Sequence, residues 1–205
     1  MYLVKTPWWL KKLYGQCMWQ VPTDENVIYL TFDDGPHPVV TEFVLKELRN
    51  FNAQATFFCI GKNVQSYPDV YKRILADGHS VGNHTHNHLN GWKTRDGAYV
   101  DDIAEAGKWI DSKFFRPPYG RITRFQLKLI QRRQLNLKPV MWSVLSGDFD
   151  TSLSNEKCLT NVTKYATKGS IVVFHDSEKA NEKLAYTLPK VLDFFSNKGY
   201  VFKKL

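Results

Sequence analysis

Nowhere in the 205 residues does an apolar run approach the roughly 18–20 positions needed to cross a bilayer, so no membrane span is expected. The start, MYLVKTPWWLKKLYGQCMW, lacks the continuous apolar core and the small-residue cleavage site of a signal peptide. The expected location is therefore the cytoplasm, or the exterior by an unrecognised export route. Cysteine is scarce: Cys17, Cys59 and Cys158 are three and far apart, which argues against a disulfide framework. Cys59, inside ATFFCIG, reads as a small buried hydrophobe. Internal repeats, low-complexity tracts and long Gly/Ser linkers are missing too, so one domain with a substantial core is expected. No base-reading module is present, and the net charge of +8 is scattered, its densest runs being KK at 11–12, RR at 132–133 and KK at 203–204. That pattern predicts a basic surface and no nucleic-acid partner. No feature of the sequence fixes an oligomeric state.

What is present is alternation. Apolar strand candidates at 27–32, 55–60, 79–83, 114–116, 138–144, 170–175 and 200–204 are separated by helical segments. The helices are read at 41–51 with Thr41 as N-cap, 68–78 with Pro68 at its start and Gly78 past its end, 97–113, 123–134, 155–166 and 187–199. This is an α/β pattern of parallel strands with helices outside, either an open sheet or a barrel, and ligands then bind at the carboxyl ends of the strands. The ionisable residues obey that rule. Asp33 and Asp34 end the first strand in VIYLTFDDGPHP, His84 and His88 follow the third, Arg116 the fourth, Asp148 the fifth, and His175 ends the sixth.

Two adjacent carboxylates at the end of a buried strand need compensation. His84 and His88 in NHTHNH are four apart, so a helical turn puts both on one face, with His86 a minor candidate if the segment is extended. Two imidazoles and one carboxylate, Asp33 or Asp34, make a catalytic zinc-type set. Arg116, in FFRPPYG, would hold the other carboxylate ionised. His175 after SIVVF is a candidate general acid. His37 and His79 are read as structural, and the sequons NHT and NVT as chance. Trp8, Trp9 and Trp19 with Lys11 and Lys12 either form an interfacial anchor or cover the bottom or a flank of the domain, the second being preferred.

TFDDGP, HTHNH, RPPYG and VVFHD, in this order, resemble the motifs of the polysaccharide deacetylases, carbohydrate esterase family 4 with its NodB homology domain. The resemblance covers about residues 25–205 and leaves 1–24 as an N-terminal extension packing on the barrel. It implies a distorted (β/α) barrel of about seven parallel strands. It also implies a hydrolase that uses a divalent metal, most simply Zn2+ with Co2+ or Ni2+ as alternatives, to remove acetyl groups from N-acetylated sugars of a chitin- or peptidoglycan-like glycan. By the same resemblance Asp34, His84 and His88 are the metal ligands, Asp33 the base, Arg116 its support, and Tyr119 supplies an oxyanion N–H. His175 is the acid, tuned by Asp148, while Val172, Phe149 and Pro118 line the substrate pocket. Two departures stand in LSGDF: Leu145 replaces an Asp that would support Arg116, and Phe149 replaces a Trp. They keep open a non-catalytic glycan-binding protein on the same fold. A hydrolase for another acyl or phosphoryl group ranks below both.

Overall fold

The computed structural model describes residues 2–205. Among the described residues there are eight strands: β1 (Val27–Asp33), β2 (Ala55–Cys59), β3 (Ser80–Asn83), β4 (Phe114–Phe115), β5 (Lys138–Pro139), β6 (Val144–Leu145), β7 (Ser170–His175) and β8 (Val201–Phe202). Seven follow the order β5-β4-β3-β2-β1-β7-β6, and β8 pairs with the start of β1. Every ladder is parallel, and the sheet curls into a half-barrel. The segment 138–144, expected as one strand, splits into β5 and β6. These are the two ends of the order, so the ladder is open between them.

The extension lies across this opening. Met18 bridges Val140, Lys5 bridges Val144 and Gln20 bridges Ser170. Thr6 reinforces the seam through its N–H to Ser143 O and its hydroxyl to Trp142 O. The extension thus covers a flank of the barrel. Trp19 is buried in it, while Trp8 and Trp9 are 75% and 52% exposed.

The helices are α1 (Trp8–Leu13), α2 (Val40–Asn50), α3 (Gly61–Ser66), α4 (Pro68–Ala76), α5 (Asp96–Ala106), α6 (Arg124–Arg132), α7 (Asn155–Tyr165) and α8 (Asn181–Ser196). α6 opens on a full capping box between Thr123 and Gln126. α2 begins one residue before the expected N-cap. Thr41 lies inside it, the N-cap position is Val39, and the side chain of His37 satisfies the entry by accepting the N–H groups of Val39 and Val40 at Nδ1.

Side chains alternate across the strands. Leu30, Phe32, Phe57, Val172 and Phe174 face outward and pack with Val44, Leu45, Leu48, Leu188 and Leu192 of the helices. Thr31, Asp33 and Phe58 face inward, towards Arg116. Because Thr31 pairs in register with Val173 and Asp33 with His175, the inward residues of β7 are Val173 and His175. Parallel pairing thereby lines Asp33 and His175 up at one rim.

Candidate active site

Asp34 follows β1 in the left-handed region, at φ 82°, which turns its side chain away from that of Asp33. Two clamps fix this turn. Asn63 on α3 donates to Asp34 O at 2.7 Å, and Gly35 N–H donates to Asp176 Oδ1 at 3.0 Å. A Cβ on Gly35 would lie only 2.0 Å from Asp176 Oδ2, so only glycine fits. Thr41 completes the clamp by donating its hydroxyl to Asp176. Burial pushes the Asp176 carboxyl up to about 7, with the charge of Asp34 adding to the effect and the Thr41 bond opposing it.

His84 and His88 do reach one point, but not by a helical turn. The loop 84–88 is irregular, with Thr85 at φ 64° and His88 at φ 55°. Asp102 on α5 holds it, accepting the backbone N–H groups of His86 and Asn87 and the Asn87 side chain. His86 is turned away, with its Nδ1 2.7 Å from where a Cβ on Gly61 would be. His84 Nδ1 sits 2.8 Å from Arg116 O, which assigns the proton to Nδ1 and leaves Nε2 as the acceptor facing Asp34. Burial pushes the His84 imidazole down to about 4, so it is neutral at physiological pH.

Asp34 Oδ1 lies 3.6 Å from His84 Nε2 and 3.0 Å from His88 Nε2. Burial works to raise its pKa, but the imidazoles of His88, His175 and His84 hold it well below the usual carboxylate range. The ligand atoms of the three residues all lie within 4.8 Å of one another. Asp34 Oδ1 is buried and has no hydrogen-bond partner. An orphaned carboxylate oxygen between two imidazole nitrogens is what a three-residue divalent-cation site offers.

Beside this triangle, Arg116 Nη1 donates to Asp33 Oδ1 at 2.7 Å and to Thr31 Oγ1 at 2.7 Å. Nε donates to Val140 O and Nη2 to Met141 O, and the guanidinium lies over the Phe58 ring. The break between β5 and β6 frees these two carbonyls to point inward. Support for Arg116 therefore comes from backbone and a threonine, so an acid at Leu145 is not needed to hold it.

On the other side His175 Nδ1 is 2.8 Å from Asp148 Oδ1, and Asp148 Oδ2 accepts the His175 backbone N–H at 2.7 Å. Burial opposes the imidazolium, yet Asp148, with help from Asp34 and Asp33, raises it to about 10. Ser146 donates to Asp148 Oδ1. Phe149 stands edge-on to His175 at 5.1 Å, so an aromatic wall is kept. Tyr119, at φ 59°, has its ring 4.7 Å from His88 and is exposed, while Pro118 beneath it is buried and shapes the turn. Val172 is not brought to the site. It points into the layer beneath the helices, and Val173 is the β7 residue on the inner face.

Residues 20–138 match the family model described as polysaccharide deacetylase. The chain is 36% identical to a peptidoglycan-N-acetylglucosamine deacetylase of Bacillus cereus over 194 residues, which is 92% of this chain and 90% of that one. It is 36% identical to a chitooligosaccharide deacetylase of Azorhizobium caulinodans over 165 residues, 77% of each. Its backbone superposes on a crystal structure of a peptidoglycan N-acetylglucosamine deacetylase with a TM-score of 0.87, at 31% identity and covering 98% and 95% of the two chains.

Proposed function

The chain belongs to the polysaccharide deacetylase family, and on that premise we propose that it is a metal-dependent hydrolase that removes acetyl groups from the N-acetylated sugars of a peptidoglycan- or chitin-like glycan. The observation that carries the reading is the flanking of the Asp34–His84–His88 triangle by two oppositely prepared groups: Asp33 beside a buried Arg116, and His175 charged by Asp148. Zn2+ suits the ligand set, as do Co2+ and Ni2+. A divalent cation held there would polarise the acetyl carbonyl and make water more acidic.

Asp33 takes a proton from the water as its oxygen bonds to the amide carbon, and Arg116 keeps that carboxylate aimed at the site. The turn at Tyr119 presents a backbone N–H to the oxyanion that forms. His175 then gives its proton to the sugar nitrogen as the C–N bond breaks, releasing acetate and an amine. Phe149 walls the acid. The non-catalytic reading drew on Leu145 and Phe149 in LSGDF. The carbonyls of Val140 and Met141 that hold Arg116 speak against it at Leu145, and the ring of Phe149 beside His175 speaks against it at the second position.

The test is turnover by Asp33→Asn and His175→Ala, each with metal affinity measured alongside. Loss of at least about a hundredfold in kcat with metal still bound is expected. Full activity in either variant would refute its role.

A further inference from the structure

Two residues along the chain from Tyr119 and four from His88 lies a shelf the chemistry above does not use. There the Arg121 guanidinium sits over the Trp92 ring, its Cζ 4.0 Å from the ring centre. The indole is pinned in turn, its Nε1–H donating to Ile122 O at 3.2 Å, yet Trp92 stays 57% exposed. A guanidinium placed over an aromatic face keeps its in-plane N–H edge free for a bidentate acceptor.

Arg49, Arg73, Arg116 and Arg133 each pair with a carboxylate. Arg121, like Arg95, Arg124 and Arg132, has no carboxylate partner among the described residues, and of these four it is the one stacked on an aromatic ring. Exposed Lys93 and Arg95 stand in the same loop as Trp92. The acid nearest in sequence, Asp96 at the start of α5, instead accepts from the Thr123 hydroxyl. Tyr119, 61% exposed and packed on His88, joins this shelf to the metal ligands.

We propose that Arg121 and Trp92 form a carboxylate-binding subsite that selects an N-acetylated glycan with an acidic substituent over a neutral one. This rests on the deacetylase reading and names its substrate class: a chain with lactyl carboxylates, as on muramic acid, rather than plain chito-oligosaccharide. The guanidinium edge grips the carboxylate, and the pinned indole holds the guanidinium in place.

The experiment compares a muramic-acid-containing tetrasaccharide with its methyl ester, which has the same skeleton and no charge. Binding is measured by calorimetry on Asp33→Asn protein, and on chelator-stripped wild type as a second form that does not turn over. The acid form should bind about tenfold more tightly than the ester, as one charge-assisted bidentate contact provides. In Arg121→Gln the two affinities should converge. In Arg121→Lys only part of the preference should return, and Trp92→Ala should weaken it. Equal binding of acid and ester, or a preference that survives Arg121→Gln, would overturn the subsite. Acetate release by the wild-type protein is scored separately. A binding preference without release would sink the deacetylase reading and leave the subsite standing, and release without preference would do the reverse.

Discussion

Arg116 Nη1 lies 2.7 Å from Asp33 Oδ1, and the two side chains are 0% and 5% exposed. A pair this deeply buried is held by complementary bonds on every side, and removing one partner strands the other charge. Arg116→Met is expected to cost roughly 3–5 kcal/mol of stability, measured as a shift in denaturation free energy. Adding Asp33→Asn should recover part of that loss, the signature of a coupled pair. Arg116→Lys should fail as well, because an ammonium cannot serve Thr31, Asp33, Val140 O and Met141 O together. A cost below about 1 kcal/mol for Arg116→Met would mean the pair is not the buried support described.

The His175 imidazole is raised from its ordinary value to about 10 despite burial, through Asp148. A raised folded-state pKa gives stability that is complete below the unfolded value of about 6.5 and disappears as pH climbs through about 10. Stability and the alkaline limb of the rate profile should therefore both decline in that window. Asp148→Asn should move the limb down towards the ordinary imidazole value. An NMR titration of His175 that shows an unshifted ring in the wild-type protein would contradict the assignment.

Asp176 ties the Asp34–Gly35 turn to the end of β7. Asp176→Ala leaves Gly35 N–H and the Thr41 hydroxyl without their acceptor, and loosens Asp34. Divalent-cation affinity should fall by roughly 10–100-fold, as it does when outer partners of a ligand are removed. Gly35→Ala should do at least as much damage, since its methyl would meet Asp176 Oδ2 at 2.0 Å. Unchanged affinity in Asp176→Ala, read by competition with a chromophoric chelator, would show that the clamp does not position the ligand.

A cation held only by the folded triangle stabilises the fold by mass action, by about 4 kcal/mol at a thousand times its dissociation constant. Zinc should raise Tm in the wild-type protein. It should do so far less in His84→Ala or His88→Ala, where one of the three ligand atoms is gone. An equal rise in all three proteins would place the metal elsewhere.

The strand-end rule made the rim legible in the sequence: Asp33 and His175 end strands and pair in register, and Asp34, Arg116 and Asp148 follow strands. What stayed illegible depends on tertiary partners. The loop 84–88 converges through two left-handed residues and the Asp102 clamp, and four-residue spacing alone suggests a helix. Asp102 went unnoticed inside a segment read as helix, and Asp176 because it stands one residue past a strand read to end at the candidate acid His175. A buried acid on an otherwise apolar helix face was the available signal for Asp102. Helix α3, GKNVQS, has too few apolar residues to show a period. The break in 138–144 was marked only by Pro139, which ends β5 and cannot donate to a ladder, and it frees the carbonyls that hold Arg116. Val172 and Val173 differ only by which face of β7 they occupy, and the register with Thr31 settles that.

The central claim is tested most directly by acetate release from N-acetylated glycan oligomers, using protein stripped with a chelator and then resupplied with zinc. The account predicts release that vanishes on stripping, returns with zinc, and is absent in Asp33→Asn at every zinc concentration. No release from peptidoglycan-type or chitin-type oligomers, with zinc shown to be bound at Asp34, His84 and His88, would contradict it.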